Sequence, residues 1–466
     1  MKSIKYIISK LGYGVGAIGL DLSYGMFYTF LAQYLTDVLG LKPIFLLILT
    51  PLARLWDGIN DPMMGTIVDN TRTKMGKFRP WILIGALLNS VVLVFLFSNP
   101  FHLSGTALCV YVAIFYVGWG MTNTLADIPF WSMVPSFTSD PEERTLLSTV
   151  ARAFSGIGQG VVSMGAPILM SAVSRTYDVN GAKVRDEKSF FVTAIVCAVA
   201  LVFFASVCVG STKEKINTSS GEKFSLKRTV NIVKSNDQLL VFMLFAMISN
   251  AGWYLSSGVA AYYFDVVVGD SSKQSLFSTF NAIGSVVGLL VFPILQKMFS
   301  KRKAYQISLI LAALGFGGMS FAAFAGKIIV MDIFYFVAGL GVASMFTAQT
   351  VFLADIVDYG EIKLGFRAES ITFSMKGFLQ KMAYTLQTII LFISLEVSKY
   401  DGTLHSANPE SAKTAITAML VVIPAILFVL SLIIFTKKFK LHGEYMDSIT
   451  EKVIANRALR EEAAGE

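Results

Sequence analysis

Apolar runs of about 20 residues or more recur along the whole chain, separated by short polar connections. Twelve runs stand out, at roughly 11–38, 42–69, 80–99, 104–132, 146–174, 190–210, 236–264, 275–297, 304–325, 328–356, 367–397 and 414–436. A bilayer core about 30 Å thick takes about 20 apolar residues per crossing helix. The pattern predicts an all-α polytopic membrane protein with twelve transmembrane helices.

Composition agrees. Of 466 residues, 54% are hydrophobic and only 15% charged, where an ordinary soluble domain carries about 25%. The basic residues gather at alternate connections: Lys2, Lys5 and Lys10; Arg72, Lys74, Lys77 and Arg79; Lys213 through Lys234; Lys297, Lys301, Arg302 and Lys303; Lys437, Lys438 and Lys440. The intervening loops are poorer. In the exception, 175–188, the bases Arg175, Lys183, Arg185 and Lys188 are diluted by Asp178, Asp186 and Glu187. By the positive-inside rule both termini are expected in the cytoplasm, which requires an even number of crossings. The net charge of +8 is thus a topology signal. Scattered over separate loops, these bases predict membrane lipid as surroundings and no nucleic-acid partner. The start, Met1-Lys2-Ser3-Ile4-Lys5, looks like a signal peptide's basic segment. The following run, with Asp21 inside it, is too long and polar for a cleaved one.

The longest polar connection runs from Ser211 to about Asn236, after the sixth apolar run. It divides the chain into an N-terminal six-helix bundle (1–210), a cytoplasmic linker (211–235), a C-terminal six-helix bundle (236–440) and a cytoplasmic tail (441–466). That is the plan of a carrier with its substrate site between two bundles. Gly12 and Gly16 form a small-xxx-small pair suited to close helix packing. Cys109, Cys197 and Cys208 stand alone in apolar runs and predict packing rather than metal binding or disulfides. His102, His405 and His442 lie near loops or the tail, and no Gly-Lys-Ser/Thr phosphate cradle occurs. Neither an enzyme, a resident cofactor nor an ATPase motor is expected.

Ionisable residues inside spans are functional candidates by default. They are Asp21 in the first run, Arg54, Asp57 and Asp61 (with Asn60) in the second, Asp127 in the fourth, Arg152 in the fifth, and Lys376 and Lys381 in the eleventh. Asp57 and Asp61 are one helical turn apart and project from one face. Two bare carboxylates there repel, so something positive is required between them. A small cation or shared proton meets the need; a purely structural pairing of Asp57 with Arg54 is the alternative. Trp131 follows Asp127 by one turn, and Tyr28 follows Asp21 by two along the same face. A carboxylate beside an aromatic ring is a sugar-holding arrangement: the acid accepts hydroxyl hydrogen bonds and the ring stacks on the C–H face.

These residues lie in stretches that resemble the glycoside–pentoside–hexuronide:cation symporter family, most closely its melibiose-carrying members. The stretches are Tyr34-Leu35-Thr36-Asp37-Val38-Leu39-Gly40, Trp56-Asp57-Gly58-Ile59-Asn60-Asp61-Pro62-Met63-Met64-Gly65, Gly76-Lys77-Phe78-Arg79-Pro80-Trp81, Asp127-Ile128-Pro129-Phe130-Trp131-Ser132, Ala354-Asp355-Ile356-Val357-Asp358-Tyr359-Gly360-Glu361 and Arg367-Ala368-Glu369-Ser370. The resemblance implies a major facilitator superfamily fold and uptake of a sugar, such as the galactoside melibiose, coupled to Na⁺, H⁺ or Li⁺. It implies a cation (metal-ion) site at Asp57, Asn60, Asp61 and Thr124. It implies a sugar site at Asp21, Tyr28, Asp127, Trp131, Arg152, Phe346 and Lys381, with Lys381 matching the family's lysine near the cation carboxylates. Leu20, Asn123 and Phe346 depart from the melibiose pattern's Lys, Tyr and Trp, and Lys376 replaces a neutral polar residue. A hexuronide or other glycoside symporter and a lysolipid carrier on the same fold are the alternatives. At span ends assigned to the cytoplasm, Arg72, Lys77, Asp355, Asp358 and Arg367 are expected to form gating ion pairs and helix-end contacts. A merely solvated charge cluster is the competing reading. The expected setting is a monomer in a bacterial inner membrane.

Overall fold

A computed structural model describes residues 4–137, 141–177, 184–214, 226–365 and 369–465. Among them the backbone is almost entirely helical, with one isolated bridge between Thr73 and Gly76. The first half comprises α1 (Ile4–Gly25), α2 (Pro43–Asp69), α3 (Arg79–Leu96), α4 (Gly105–Ser132), α5 (Pro141–Val173) and α6 (Glu187–Ser211). A short α7 (Leu226–Ser235) precedes α8 (Asp237–Tyr262), α9 (Gln274–Met298), α10 (Lys301–Phe324), α11 (Ile328–Leu364) and α12 (Glu369–Val397). The last long segment is α13 (Glu410–Thr417) continued by α14 (Ile423–Lys438), and α15 (Gly443–Gly465) forms the tail.

Among the described residues, eleven helical segments are long and apolar enough to cross a membrane by length and composition. Between them, α2 has 27 residues, ample at about 1.5 Å per residue for a 30 Å core. It carries Arg54, Asp57 and Asp61, the candidate chemistry itself. Local signals place several ends. Asp186 caps α6 in a capping box with Ser189, Pro80 sits in the first turn of α3, and Gly365, at φ +77°, closes α11 where a side chain is strained.

Among the described residues, four π-helical turns interrupt the helices: Met26–Phe30, Tyr34–Val38, Tyr263–Val267 and Ala418–Val422. The first two extend α1 and the third extends α8. The wide turns at Tyr34–Val38 and Tyr263–Val267 repeat a sequence pattern. Each holds an aspartate, Asp37 or Asp265, three residues after a tyrosine, Tyr34 or Tyr262, and precedes a left-handed glycine, Gly40 or Gly269.

Two compact units emerge. Unit 1 is Met1–Lys223 with Gly258–Ser278 and Phe392–Ile416; unit 2 is Phe224–Ser257, Thr279–Leu391 and Thr417–Glu466. In unit 1, α1 lies against α6 with little between the backbones. A Cβ on Gly12 would fall 1.9 Å from Ser211 Oγ, and one on Gly16 2.8 Å from Cys208 Cβ. This is the close approach expected of the Gly12/Gly16 pair. Lipid supplies no hydrophobic drive between helices, so such contacts hold them together. The core around them includes Tyr13, Ala17, Leu20, Ile82, Ala126, Phe130, Leu201 and Cys208. In unit 2, α10 and α11 meet as closely: a Cβ on Gly315 would lie 2.4 Å from Ala338 N, and one on Gly341 2.4 Å from Ala312 N.

Candidate functional site

The carboxylate pair of α2 meets α4. Asp57 is 5% exposed, and its Oδ2 accepts from Arg54 Nη1 at 2.6 Å. Asp61, half-buried, accepts from Thr124 Oγ1 at 3.0 Å. Asn60 is buried between them in sequence, with its Nδ2 lacking a hydrogen-bond partner. The α4 backbone comes near because Gly120 has no side chain; a Cβ there would stand 3.1 Å from Asp57 Oδ1. Arg54 also lies 5.8 Å over the ring of Tyr28. So the Arg54–Asp57 pairing weighed from sequence is present, and the Thr124 hydroxyl is one partner of Asp61. Among the described residues no three His, Cys, Asp or Glu side chains cluster as a metal cage. The donor set is two carboxylates, a hydroxyl and an amide oxygen: hard oxygens with a charge suited to a monovalent cation.

The second group lies one turn farther along α4. Asp127 Oδ1 accepts from Trp131 Nε1 at 2.9 Å, and Arg152 of α5 covers one face of the Trp131 ring at 3.9 Å. Asp21 of α1 hydrogen-bonds Ser155 of α5, and the charges of Asp127 and Arg152 act on it. Glycines bring these helices together. A Cβ on Gly158 would be 2.7 Å from Ile18 O and 3.1 Å from Asp21 Cβ, and one on Gly85 would be 2.5 Å from Ala126 N. Asp21, Asp127 and Trp131 are half-buried and Arg152 is exposed, so the group borders accessible space.

Tyr28 is placed differently from the two-turn expectation. The π turn at Met26–Phe30 shifts the register, and Tyr28 stacks on Tyr24 at 5.5 Å and faces Arg54. It joins the α2 carboxylate group more directly than the Trp131 group. The sequence reading missed Tyr24, whose hydroxyl accepts from Asn123 Nδ2 at 2.8 Å, and Asn89, which accepts from Ser23 Oγ at 2.7 Å. A buried amide in an otherwise apolar α3 was the available signal for Asn89.

Phe346 and Lys381 belong to unit 2, on α11 and α12, both half-buried. Lys376, also on α12, donates to Thr350 Oγ1 at 2.5 Å. Of the expected gating residues, Asp355 accepts from Lys301 Nζ at 2.8 and 3.1 Å, and Asp358 lies half-buried on α11. In unit 1, Arg72 donates to Thr71 O at 2.9 Å and Lys77 Nζ lies 5.0 Å over the Phe78 ring. Arg367 falls outside the described residues. The residue that organises this loop was not foreseen. Glu214 accepts the backbone N–H groups of Lys77 (2.7 Å), Phe78 (3.0 Å) and Arg79 (3.1 Å). These are the orphan donors at the start of α3, where a carboxylate also complements the helix dipole.

Comparison with known proteins gives the family. The family model described as MFS/sugar transport protein matches residues 12–442. A lactose permease of Lactobacillus delbrueckii subsp. bulgaricus is 27% identical, over 96% of this chain and 73% of its own length. A raffinose carrier protein of Pediococcus pentosaceus is 25% identical, over 99% and 77%. An isoprimeverose transporter of Lactiplantibacillus pentosus is 26% identical, over 97% and 93%. Among solved structures, a D-xylose–proton symporter superposes with TM-score 0.64 at 14% identity, covering 93% of this chain and 98% of that one. The nucleoside transporter NupG superposes with TM-score 0.61 at 12% identity, covering 92% and 100%. The fold is that of the major facilitator superfamily, an integral membrane transporter rather than an enzyme, and the chain belongs to the MFS/sugar transport protein family.

Proposed function

We propose that the protein is a symporter that couples uptake of a neutral sugar, a galactoside such as melibiose, to inward flow of Na⁺, with H⁺ or Li⁺ as alternative coupling ions. The observation that carries this reading is the register of α4. Thr124, bonded to Asp61, and Asp127, bonded to Trp131, are three residues apart on one helix face. A cation drawn to Asp57 and Asp61 engages Thr124 and biases the rotation and position of α4. That same bias sets Asp127 and Trp131 for the sugar. Coupling is then reciprocal: the factor by which cation tightens sugar is the factor by which sugar tightens cation.

In this mechanism Asp57 and Asp61 take the cation with Thr124 and Asn60, and Arg54 is the internal cation that the coupling ion competes with at Asp57. Asp21 and Asp127 accept hydroxyl hydrogen bonds, which to a charged acceptor are about twice as strong as neutral ones. Trp131 offers its second face, the first being held by Arg152. Tyr28 and Arg152 complete the first-half contribution, and Phe346 and Lys381 the second. Arg72, Lys77, Asp355, Asp358 and Arg367 serve the gate at the cytoplasmic side, with both termini in the cytoplasm of a bacterial cell and the monomer as the working unit. Relatives named for lactose, raffinose and isoprimeverose support a glycoside over a lysolipid.

The test is accumulation of radiolabelled melibiose, lactose, raffinose and glucuronide in vesicles under an imposed Na⁺, Li⁺ or pH gradient. Accumulation of a neutral galactoside driven by Na⁺ is the expected result. Glucuronide accumulation alone, or equal uptake with no cation gradient, overturns the reading.

A further inference from the structure

At the end of α1 that the charge pattern assigns to the outside, unit 1 buries a second set of charges, separate from the α2–α4 group. Arg185, just before α6, is 2% exposed. Its guanidinium donates to Gln33 Oε1 at 2.7 Å, Ala261 O at 3.3 Å, Ser271 O at 3.3 Å and Gln274 Oε1. Every one of these acceptors is neutral. Burial pushes the group down only to about 10, so it is charged at any physiological pH.

Two carboxylates share its surroundings and act on it through space: Asp265 and Asp37. These are the matched aspartates of the two π turns, 2% and 7% exposed. Tyr400 donates to Asp37 Oδ1 at 2.6 Å, as does Thr36. His405 Nδ1 lies 2.9 Å from Asp265 Oδ2. Each carboxylate keeps one oxygen with no partner, Asp37 Oδ2 and Asp265 Oδ1, as does the Arg185 Nε. The loop that carries Tyr400 and His405 is pressed onto α1's end. A Cβ on Gly402 would sit 2.5 Å from Thr36 O and 2.6 Å from Asp37 Cα.

The charges do not cancel by themselves. Two buried carboxylates and one guanidinium leave one negative charge, and an uncompensated buried charge is expensive. Among the described residues, the other titratable groups nearby do not supply the missing positive charge. Tyr262 and Tyr400 are neutral phenols, and Tyr400 is pushed up by burial and by Asp37. The Asp401 carboxylate accepts from the backbone N–H and the hydroxyl of Thr403. Asp270 pairs with Lys273 on the exposed turn beside them. One proton closes the balance, and His405 is placed to carry it: as an imidazolium it donates Nδ1–H to Asp265 Oδ2.

We propose that Asp37, Asp265, Arg185 and His405 form a buried site for one proton, and that this proton holds the end of unit 1 in its packed arrangement. The inference rests on the packing of unit 1, and stands whatever sugar or coupling ion is transported. The sign follows from linkage. A histidine and a carboxylate exposed to water titrate near 6.5 and 3.9, so above neutral pH an end open to water carries no extra proton. Packing then takes up one proton. The ratio of packed to open forms rises up to tenfold for each unit of pH lowered, until about pH 6.5, where an exposed histidine begins to take up the proton as well.

Hydrogen exchange read by mass spectrometry on the full chain in lipid nanodiscs tests this. Protection is expressed against the intrinsic exchange rate at each pH, for peptides covering 31–41, 258–275 and 399–408, with 79–96 as the control. The wild type is expected to gain protection by about tenfold from pH 8.5 to 7.5 in all three peptides, with the control unchanged. Asp265→Asn and Asp37→Asn each remove the surplus negative charge. Both are expected to flatten the slope to less than twofold and to be as protected at pH 8.5 as the wild type is at 7.5. His405→Asn is expected to leave the three peptides poorly protected throughout pH 7–8.5. A flat wild-type profile overturns the proposal on its own, whether or not the variants fold. So does an unchanged slope in both aspartate variants. Substituting NaCl for choline chloride at pH 8.5 is expected to change nothing; full protection from Na⁺ alone would make the ligand an alkali cation and overturn the proton assignment.

Discussion

Thr124 donates its hydroxyl to Asp61 Oδ1 at 3.0 Å, which ties the carboxylate helix α2 to the helix that carries Asp127. Thr124→Ala deletes a hydrogen bond to a charged group, worth about 1.5–3 kcal/mol, and leaves both carboxylates in place. Na⁺ affinity is expected to fall by roughly tenfold or more, and Thr124→Ser to restore most of it. The concentration of Na⁺ needed to half-stimulate sugar binding, by isothermal titration, measures the effect. An unchanged value in Thr124→Ala removes the hydroxyl from the cation site.

Arg54 pairs with Asp57 at 2.6 Å with both side chains at most 7% exposed. Arg54→Gln strands a buried carboxylate, and breaking such a pair costs about 3–5 kcal/mol. Thermal unfolding without Na⁺ is expected to shift down by several degrees. Saturating Na⁺ is expected to recover a good part of that loss, because an ion that binds only the folded form stabilises it by mass action. A variant destabilised equally with and without Na⁺ makes Arg54–Asp57 a structural pair and nothing more.

Glu214 binds three successive amides at the start of α3. Glu214→Gln keeps the shape and loses the charge. The expected cost is about 1–3 kcal/mol, concentrated in the 70–78 loop. Limited proteolysis after Lys74 and Lys77 is expected to accelerate several-fold in the variant while cleavage elsewhere is unchanged.

The helical layout was legible because each crossing needs a long apolar run, and such runs are hard to mistake. Even α2, which carries Arg54, Asp57 and Asp61, is found by its length between two loops. The Asp57/Asp61 face was legible for the same reason: period 3.6 holds through an uninterrupted helix. Tyr28 was not, because the π turn at Met26–Phe30 has no signature in the apolar pattern. Glu214 and Arg185 were invisible for a different reason. Arg185 reads as one more base in a mixed loop, yet its partners Gln33 and Gln274 lie 152 and 89 positions away. Glu214 lies 137 positions from Lys77. Nothing local marks a charge as destined for burial when its partners come from other helices.

Unit 2 makes a packing prediction free of any functional role. Gly341 faces Ala312 N, where a Cβ would stand 2.4 Å away, closer than real contacts allow. Gly341→Ala must push α11 from α10, an overpacking cost of about 1–3 kcal/mol. Gly377→Ala, with nothing within 4 Å of its Cβ position, is expected to be neutral or slightly stabilising, since Ala is the better helix former. Melting temperatures of the two variants in one detergent separate them; equal shifts refute the close packing.

The sugar group gives the last prediction. Asp127 and Asp21 are on different helices, and Trp131 is anchored on both sides of its function, by its own Nε1 to Asp127 at 2.9 Å and by Arg152 against one face at 3.9 Å. A carboxylate that reads a hydroxyl in a sugar-filled site rejects epimers that misplace it, because the unmatched group is left unpaired. Asp127→Ala is therefore expected to abolish sugar binding, with Na⁺ binding reduced less than threefold. Trp131→Ala loses stacking and the guanidinium contact, the latter worth about 0.5–1 kcal/mol at an exposed site. It is expected to weaken sugar by roughly ten- to a hundredfold while the preference for a galactoside over the matching glucoside persists. Competition binding with epimeric glycosides reads both quantities at once. If Trp131→Ala erased the epimer preference while Asp127→Ala retained it, the roles would be reversed: the ring would read the hydroxyls and the carboxylate would serve only to hold the ring.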